Sequence, residues 1–127
     1  IDGDTHAAMA ASDLLLIASG TATAEAMILN VPMVMTYRIS PVTRLALSWM
    51  LKVDRYAMPN IIAGKLIIPE LVQADATADN LYREANALLE PGNLATMRAD
   101  LAEATAKLGG CGASAHAAQK VLEIIQG

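Results

Sequence analysis

The sequence has no phenylalanine, and its aromatic residues are one Trp and three Tyr. An interior of stacked rings is therefore excluded, and so is an aromatic platform for single-stranded nucleic acid. Cysteine occurs once, at Cys111. That rules out an internal disulfide and any CxxC metal or redox site, and leaves Cys111 reading as a small residue in a glycine turn. Charged residues make up only 17% of the chain and the net charge is −4, so nothing attracts nucleic acid and no basic stripe appears. No apolar run reaches the roughly 20 residues needed to span a bilayer. His6 and His116 stand far apart, read as surface or cap-adjacent residues, and make no metal site. There is no GxGxxG, no Walker lysine and no GxSxG elbow, so dinucleotide, P-loop ATPase and serine-hydrolase readings fall away. No metal and no cofactor is expected. Neither an internal repeat nor a low-complexity segment is found.

What is present is apolar. Hydrophobic residues are 54% of the 127, enough for one folded domain that hides about two-thirds of its unfolded surface. With rings scarce, seven Met and many Ala must fill the interior, which suits closely packed, adaptable helices. The chain opens Ile1-Asp2-Gly3-Asp4, with neither a start methionine nor a basic signal region. The expectation is that a longer protein was cut there.

Taken in order, Asp4 can cap a short helix over residues 5–11. The apolar run 14–17 is typical of a strand buried on both faces in a parallel sheet. A turn follows, then a helix over 22–29 that ends at Asn30 before Pro32. Residues 32–38 read as a second buried strand with the proline at its start. Two such strands joined by a helix form a βαβ unit, whose ligand crevice lies at the carboxyl ends of the strands. Ser40-Pro41 begins a helix to about Lys52, apolar around most of its surface, which is either buried or set at an apolar interface. Arg44, Lys52 and Arg55 flank it, which also fits a membrane surface. Residues 54–69 read as loop-rich. Thr77 caps a helix over 78–90, Pro91-Gly92-Asn93 breaks the chain, and a helix over 94–108 ends in Gly109-Gly110. Ser114 starts a last helix through Ile125. The Leu, Ala and Val spacing of these three helices says packing rather than chemistry. The expected division is a βαβ-containing segment, 1–75, and C-terminal helices, 76–127, within one domain.

Chemistry concentrates in Ala18-Ser19-Gly20-Thr21-Ala22-Thr23-Ala24-Glu25-Ala26-Met27. A strand, a turn of Ser, Gly and Thr, and then a helix is a recurring phosphate cradle. The first N–H groups of the helix have no partner inside it, and the helix dipole leaves that end partly positive. Glu25 follows about one turn in, and Arg38 stands at the carboxyl end of the second strand. Read from chemistry alone, this is a phosphate- or nucleotide-binding half of an α/β protein, and Asn60 is a turn or cap residue.

Four segments together carry a resemblance. The run 18–27, Val-Pro-Met-Val-Met-Thr-Tyr-Arg at 31–38, Met-Pro-Asn-Ile-Ile-Ala-Gly at 58–64 and Ile-Pro-Glu-Leu-Val-Gln at 68–73 resemble, in order and spacing, the C-terminal half of the bacterial lipid A disaccharide synthase family. That family commonly has Leu where this chain has Ala24. The resemblance implies part of a Rossmann-like GT-B C-terminal domain: a short parallel sheet with flanking helices, plus a C-terminal helical tail. It implies a transferase that moves 2,3-diacylglucosamine from UDP to 2,3-diacylglucosamine 1-phosphate, inverting the sugar carbon and releasing UDP. Ser19, Gly20, Thr21 and Thr23 would meet the diphosphate, and Glu25 would accept hydrogen bonds from ribose hydroxyls. Tyr37-Arg38 would close the strand end beside the phosphates. Asn60, Glu70 and Gln73 match family motif positions that face the cleft. The general base belongs to an N-terminal domain not contained here, so no catalytic residue is expected in this chain, which should be inactive alone. The parent would work peripherally at the cytoplasmic face of the inner membrane, with a homodimer open as an assembly. Two alternatives stand beside this reading: a non-catalytic helical or dimerisation module, and another UDP-sugar transferase or epimerase of the same fold.

Overall fold

The computed structural model describes residues 3–39, 55–109 and 112–126, and of residues 113, 116 and 126 the backbone alone. The expected helix over 41–52, Cys111 and the side chain of His116 lie outside the described residues.

The chain begins with helix α1, Thr5–Ala10. Asp4 caps it, its Oδ1 accepting from the Ala7 N–H at 2.9 Å, as expected of an acidic residue before a helix. Strand β1, Leu15–Ala18, runs into helix α2, Thr21–Ile28, and returns as strand β2, Met33–Tyr37. Asn30 ends α2 in the left-handed region, φ 57. The Asn30 and Val31 N–H groups reach back to the Met27 and Ala26 carbonyls at 2.9 and 3.0 Å, closing the last turn in the Schellman pattern.

The stretch 54–69, expected to be loop-rich, holds one helix, and a strand follows it. Helix α3, Met58–Ala63, carries Pro59 in its first turn and ends at Gly64. Strand β3, Glu70–Val72, is followed by a single 3-10 turn, Gln73–Asp75. Both are short: α3 has too few positions to show helical periodicity, and β3 hides its pattern in three residues. Helices α4, Ala78–Leu89, α5, Asn93–Ala106, and α6, Ala113–Gln126, complete the described chain. Thr77 caps α4 by accepting from the Asn80 N–H at 3.2 Å.

The three strands form one sheet in the order β1-β2-β3, parallel throughout. In β2 the residues Met33, Val34 and Met35 are all fully buried, as a central parallel strand requires. The same expectation fails for β1, where Leu16 is 59% exposed. Among the described residues β1 is an edge strand, and nothing covers one of its faces.

Methionine fills the core as expected. Met9, Met27, Met33, Met35 and Met97 form one cluster with Ile17, Ile68, Leu101 and the small Ala26 and Ala104. The flexible thioethers fill the gaps left by absent rings. Helix α5 lies across α2, with the Thr105 hydroxyl donating to the Met27 carbonyl at 3.2 Å. Met97, Leu101 and Ala104 of α5 therefore belong to the core of the βαβ unit, and Leu88 of α4 packs against it.

Candidate donor-nucleotide corner

Parallel strands deliver their following residues to one edge. Register pairs Ala18 with Thr36, and Tyr37 with Val72. The residues that leave the sheet next, Ser19, Arg38 and Gln73, therefore emerge along a common carboxyl-end border, where α/β proteins bind ligands.

At that border Gly20 is the N-cap of α2, with φ 146 and ψ −164. A side chain there would be strained whatever the space around it, so glycine sets the angle between β1 and α2. The N–H groups of Gly20, Thr21 and Ala22 pair with no backbone acceptor among the described residues. They form the positive end of an eight-residue helix, and Gly20 and Thr21 are exposed there. Thr23 is placed differently. It is fully buried, and its hydroxyl donates to the Gly20 carbonyl at 2.8 Å. Thr23 pins the turn from beneath, while Ser19, Gly20 and Thr21 line its open side.

Glu25 sits one turn into α2 with its side chain 41% exposed. Its Oε2 lies 3.7 Å from Nε2 of His6 on α1. His6 is a surface residue, as its isolation in sequence suggested; its nearness to Glu25 came only with the packing of α1 on the βαβ unit. Arg38 is exposed directly after β2. Gln73 follows β3 with φ 57, a left-handed backbone that costs a non-glycine residue about 1 kcal/mol or more.

Asn60 and Glu70 occupy positions that the motif spacing did not convey. Asn60 is fully buried rather than facing a cleft, and its hydrogen-bonding capacity is used within the chain. Its Oδ1 accepts from the Ile67 and Ile68 N–H groups at 2.7 and 3.0 Å. Its Nδ2 donates to the Ile68 carbonyl at 2.9 Å and to Glu70 Oε1 at 2.7 Å. Glu70 Oε1 also accepts from the Ala57 N–H at 3.0 Å, and Oε2 from the Tyr56 N–H at 2.8 Å. A carboxylate from β3 thus caps the start of α3, where the helix dipole favours negative charge. Tyr56 in turn reaches the corner: its carbonyl accepts from the Ser19 hydroxyl at 3.4 Å. The hinge residues of this arrangement, Tyr56 and Ala57, contribute backbone groups, which carry no signature in the sequence.

A separate cavity of about 370 Å³ opens at the amino end of β3, between Leu66 and Pro69 on one side and Glu84, Leu88 and Met97 on the other. Among the described residues no group of three or more His, Cys, Asp and Glu is placed to hold a metal ion, and no helix is long and apolar enough to cross a membrane.

A short parallel sheet flanked by helices, with a helix N-terminus and polar side chains along its carboxyl border, puts this chain in the Rossmann-like α/β class. The chain belongs to the lipid-A-disaccharide synthetase family, whose model matches residues 1–124. It is 44% identical over 129 residues to the lipid-A-disaccharide synthase of Solibacter usitatus, covering 100% of this chain and 34% of that protein. The lipid-A-disaccharide synthase of Pseudomonas fluorescens strain Pf-5 is 44% identical over 98% of this chain and 33% of its own length. That of Cellvibrio japonicus is 38% identical over 99% of this chain and 33% of its own length. The chain spans about a third of the curated relatives it matches.

Proposed function

We propose that this chain is the donor-binding, C-terminal part of a glycosyltransferase that transfers 2,3-diacylglucosamine from UDP to 2,3-diacylglucosamine 1-phosphate in lipid A biosynthesis. The observation that carries the reading is the common border of Ser19, Arg38 and Gln73 beside the open N-terminus of α2. Family membership and the names of the relatives support it. In this reading Ser19, Gly20 and Thr21 receive the diphosphate, with Thr23 holding their turn. Glu25 accepts from the ribose hydroxyls, a task for an exposed carboxylate that moves no proton. Arg38 offsets charge on departing UDP, and Gln73 lines the same edge. Residues 1–75 are the nucleotide-binding segment and 76–127 the helices that back it.

An inverting transfer needs a base in line with the donor, and that base belongs to an N-terminal domain outside this chain. Peripheral attachment at the cytoplasmic face of the inner membrane, and a homodimer, are part of the same proposal. Amphipathic substrates support the first, and the exposed Val121, Leu122, Ile124 and Ile125 of α6 are compatible with the second.

Isothermal titration with UDP tests the reading. The full-length protein should bind UDP, and Glu25→Ala should weaken binding about tenfold, the effect of one charge-assisted hydrogen bond. With both lipid substrates the full-length protein should release UDP and residues 1–127 alone should not. Absence of UDP binding by the full-length protein refutes the donor-site reading, and turnover by the chain alone refutes the missing base.

A further inference from the structure

The corner and the buried Asn60 cluster are linked by a chain of hydrogen bonds that motif matching does not anticipate. Glu70 has both oxygens engaged by three N–H donors, those of Tyr56, Ala57 and the Asn60 amide. Asn60 has no donor or acceptor left for a ligand. A nucleoside diphosphate also presents its phosphates as acceptors only, and a carboxylate has no proton to offer them. Direct phosphate binding by either residue is therefore chemically unsuited. What Glu70 does reach is the Tyr56 backbone, and through the Tyr56 carbonyl the hydroxyl of Ser19.

We propose that Glu70, braced by Asn60, is a positioning residue for the donor corner: it fixes Tyr56, and Tyr56 orients the Ser19 hydroxyl. The inference rests on the donor-site reading above and adds how the site is held. The Ser19 hydroxyl has one proton. In the unliganded corner it points to the Tyr56 carbonyl across 3.4 Å, a long contact compared with the usual O–H···O range of about 2.5–3.0 Å. That length leaves room for a phosphate oxygen at the helix start to share the proton in a three-centre bond, so Tyr56 goes on holding the Ser19 side chain when the ligand is bound. Site order is in this way built into the core before the ligand arrives, which lowers the ordering cost of binding.

A double-mutant cycle in the full-length protein tests this, with UDP as the probe. Glu70→Gln keeps the side-chain shape but offers one acceptor oxygen in place of two, so either the Tyr56 N–H or the Ala57 and Asn60 donors lose their acceptor. Its UDP Kd should rise about tenfold, the effect of one hydrogen bond. The donor KM should rise with it, while the acceptor KM is unchanged, a split that general loosening of the fold would not produce. Ser19→Ala should weaken UDP by a similar factor, and the double variant no further than the worse single one. Equal and multiplying effects would overturn the proposal, because they mean that Glu70 acts independently of Ser19. A second measurement needs no variant. By reciprocity of coupled sites, UDP should slow hydrogen exchange at the Tyr56 and Ala57 amides of the unsubstituted protein; unchanged exchange at those amides with UDP bound would overturn it equally. If the unsubstituted protein binds no UDP, the donor-site reading fails and takes this one with it; binding with independent effects removes the positioning role alone.

Discussion

Replacing Asn60 should be among the most damaging single changes available in this chain. Asn60→Ala removes the partner of four groups at once: the Ile67 and Ile68 N–H, the Ile68 carbonyl and one Glu70 oxygen. Each buried polar group left without a partner costs about 1–3 kcal/mol. The full sum is not reached. Glu70 keeps the Tyr56 and Ala57 donors, so its oxygen is not left without a partner. A net loss of about 3–5 kcal/mol follows, a large share of the about 5–15 kcal/mol that holds a domain together. Urea denaturation followed by circular dichroism measures it, and hydrogen exchange at Ile67 and Ile68 localises it. Asn60→Asp sharpens the test. The acceptor for the two N–H groups remains, but the donor becomes an oxygen facing Glu70 Oε1 and the Ile68 carbonyl. Repulsion from Glu70 raises the introduced carboxyl's folded-state pKa above its unfolded value. By linkage the deficit relative to the native protein is then largest at neutral pH and shrinks as pH falls through the raised pKa. A loss under about 1 kcal/mol for Asn60→Ala, or an Asn60→Asp deficit that grows on acidification, would refute the assignment of Asn60 as an internal clamp.

Two further outcomes are expected. Gly20→Ala meets no atom within 4 Å of the added Cβ, yet φ 146 makes it strained by about 1–3 kcal/mol; thermal melts should show the loss, and a Tm equal to the native one would mean that glycine is not required there. Asp100 holds the Lys65 ammonium above its ordinary value of 10.5, by hydrogen bond first and charge second. A raised folded-state pKa gives stability that is whole below 10.5 and lost as pH rises through the raised value. The Tm gap between the native protein and Lys65→Met should therefore be small, steady near neutral pH and closed at strongly alkaline pH; a gap that widens with alkali contradicts the pairing.

Much of the architecture was legible in the residues, because local physics decided it. Asp4 and Thr77 announce helix starts by their side chains, Asn30 announces an end, and the apolar runs that became β1 and β2 flank a turn only glycine tolerates. The absence of phenylalanine foretold a methionine core. Where two strands and a helix were recognised, their parallel pairing followed, and with it the border that gathers Ser19 and Arg38.

Other features were decided only by tertiary structure. Helix α3 and strand β3 are too short to show a period, and β3 exists because β2 offers it a free edge. The exposure of Leu16 depends on what covers its face of β1, a matter of packing and not of the run 14–17. Above all, residue type did not distinguish side chains that line the corner from those that hold it. Thr21 and Thr23 are two residues apart in one motif, yet one is open to solvent and the other points its hydroxyl into the turn. Asn60 and Glu70 carry the groups of a binding site and spend them on backbone, because burial leaves a polar side chain no alternative to finding partners in the chain. Composition and spacing place the turn between β1 and α2; its support, from the core through Tyr56 to Ser19, exists only in the packed chain.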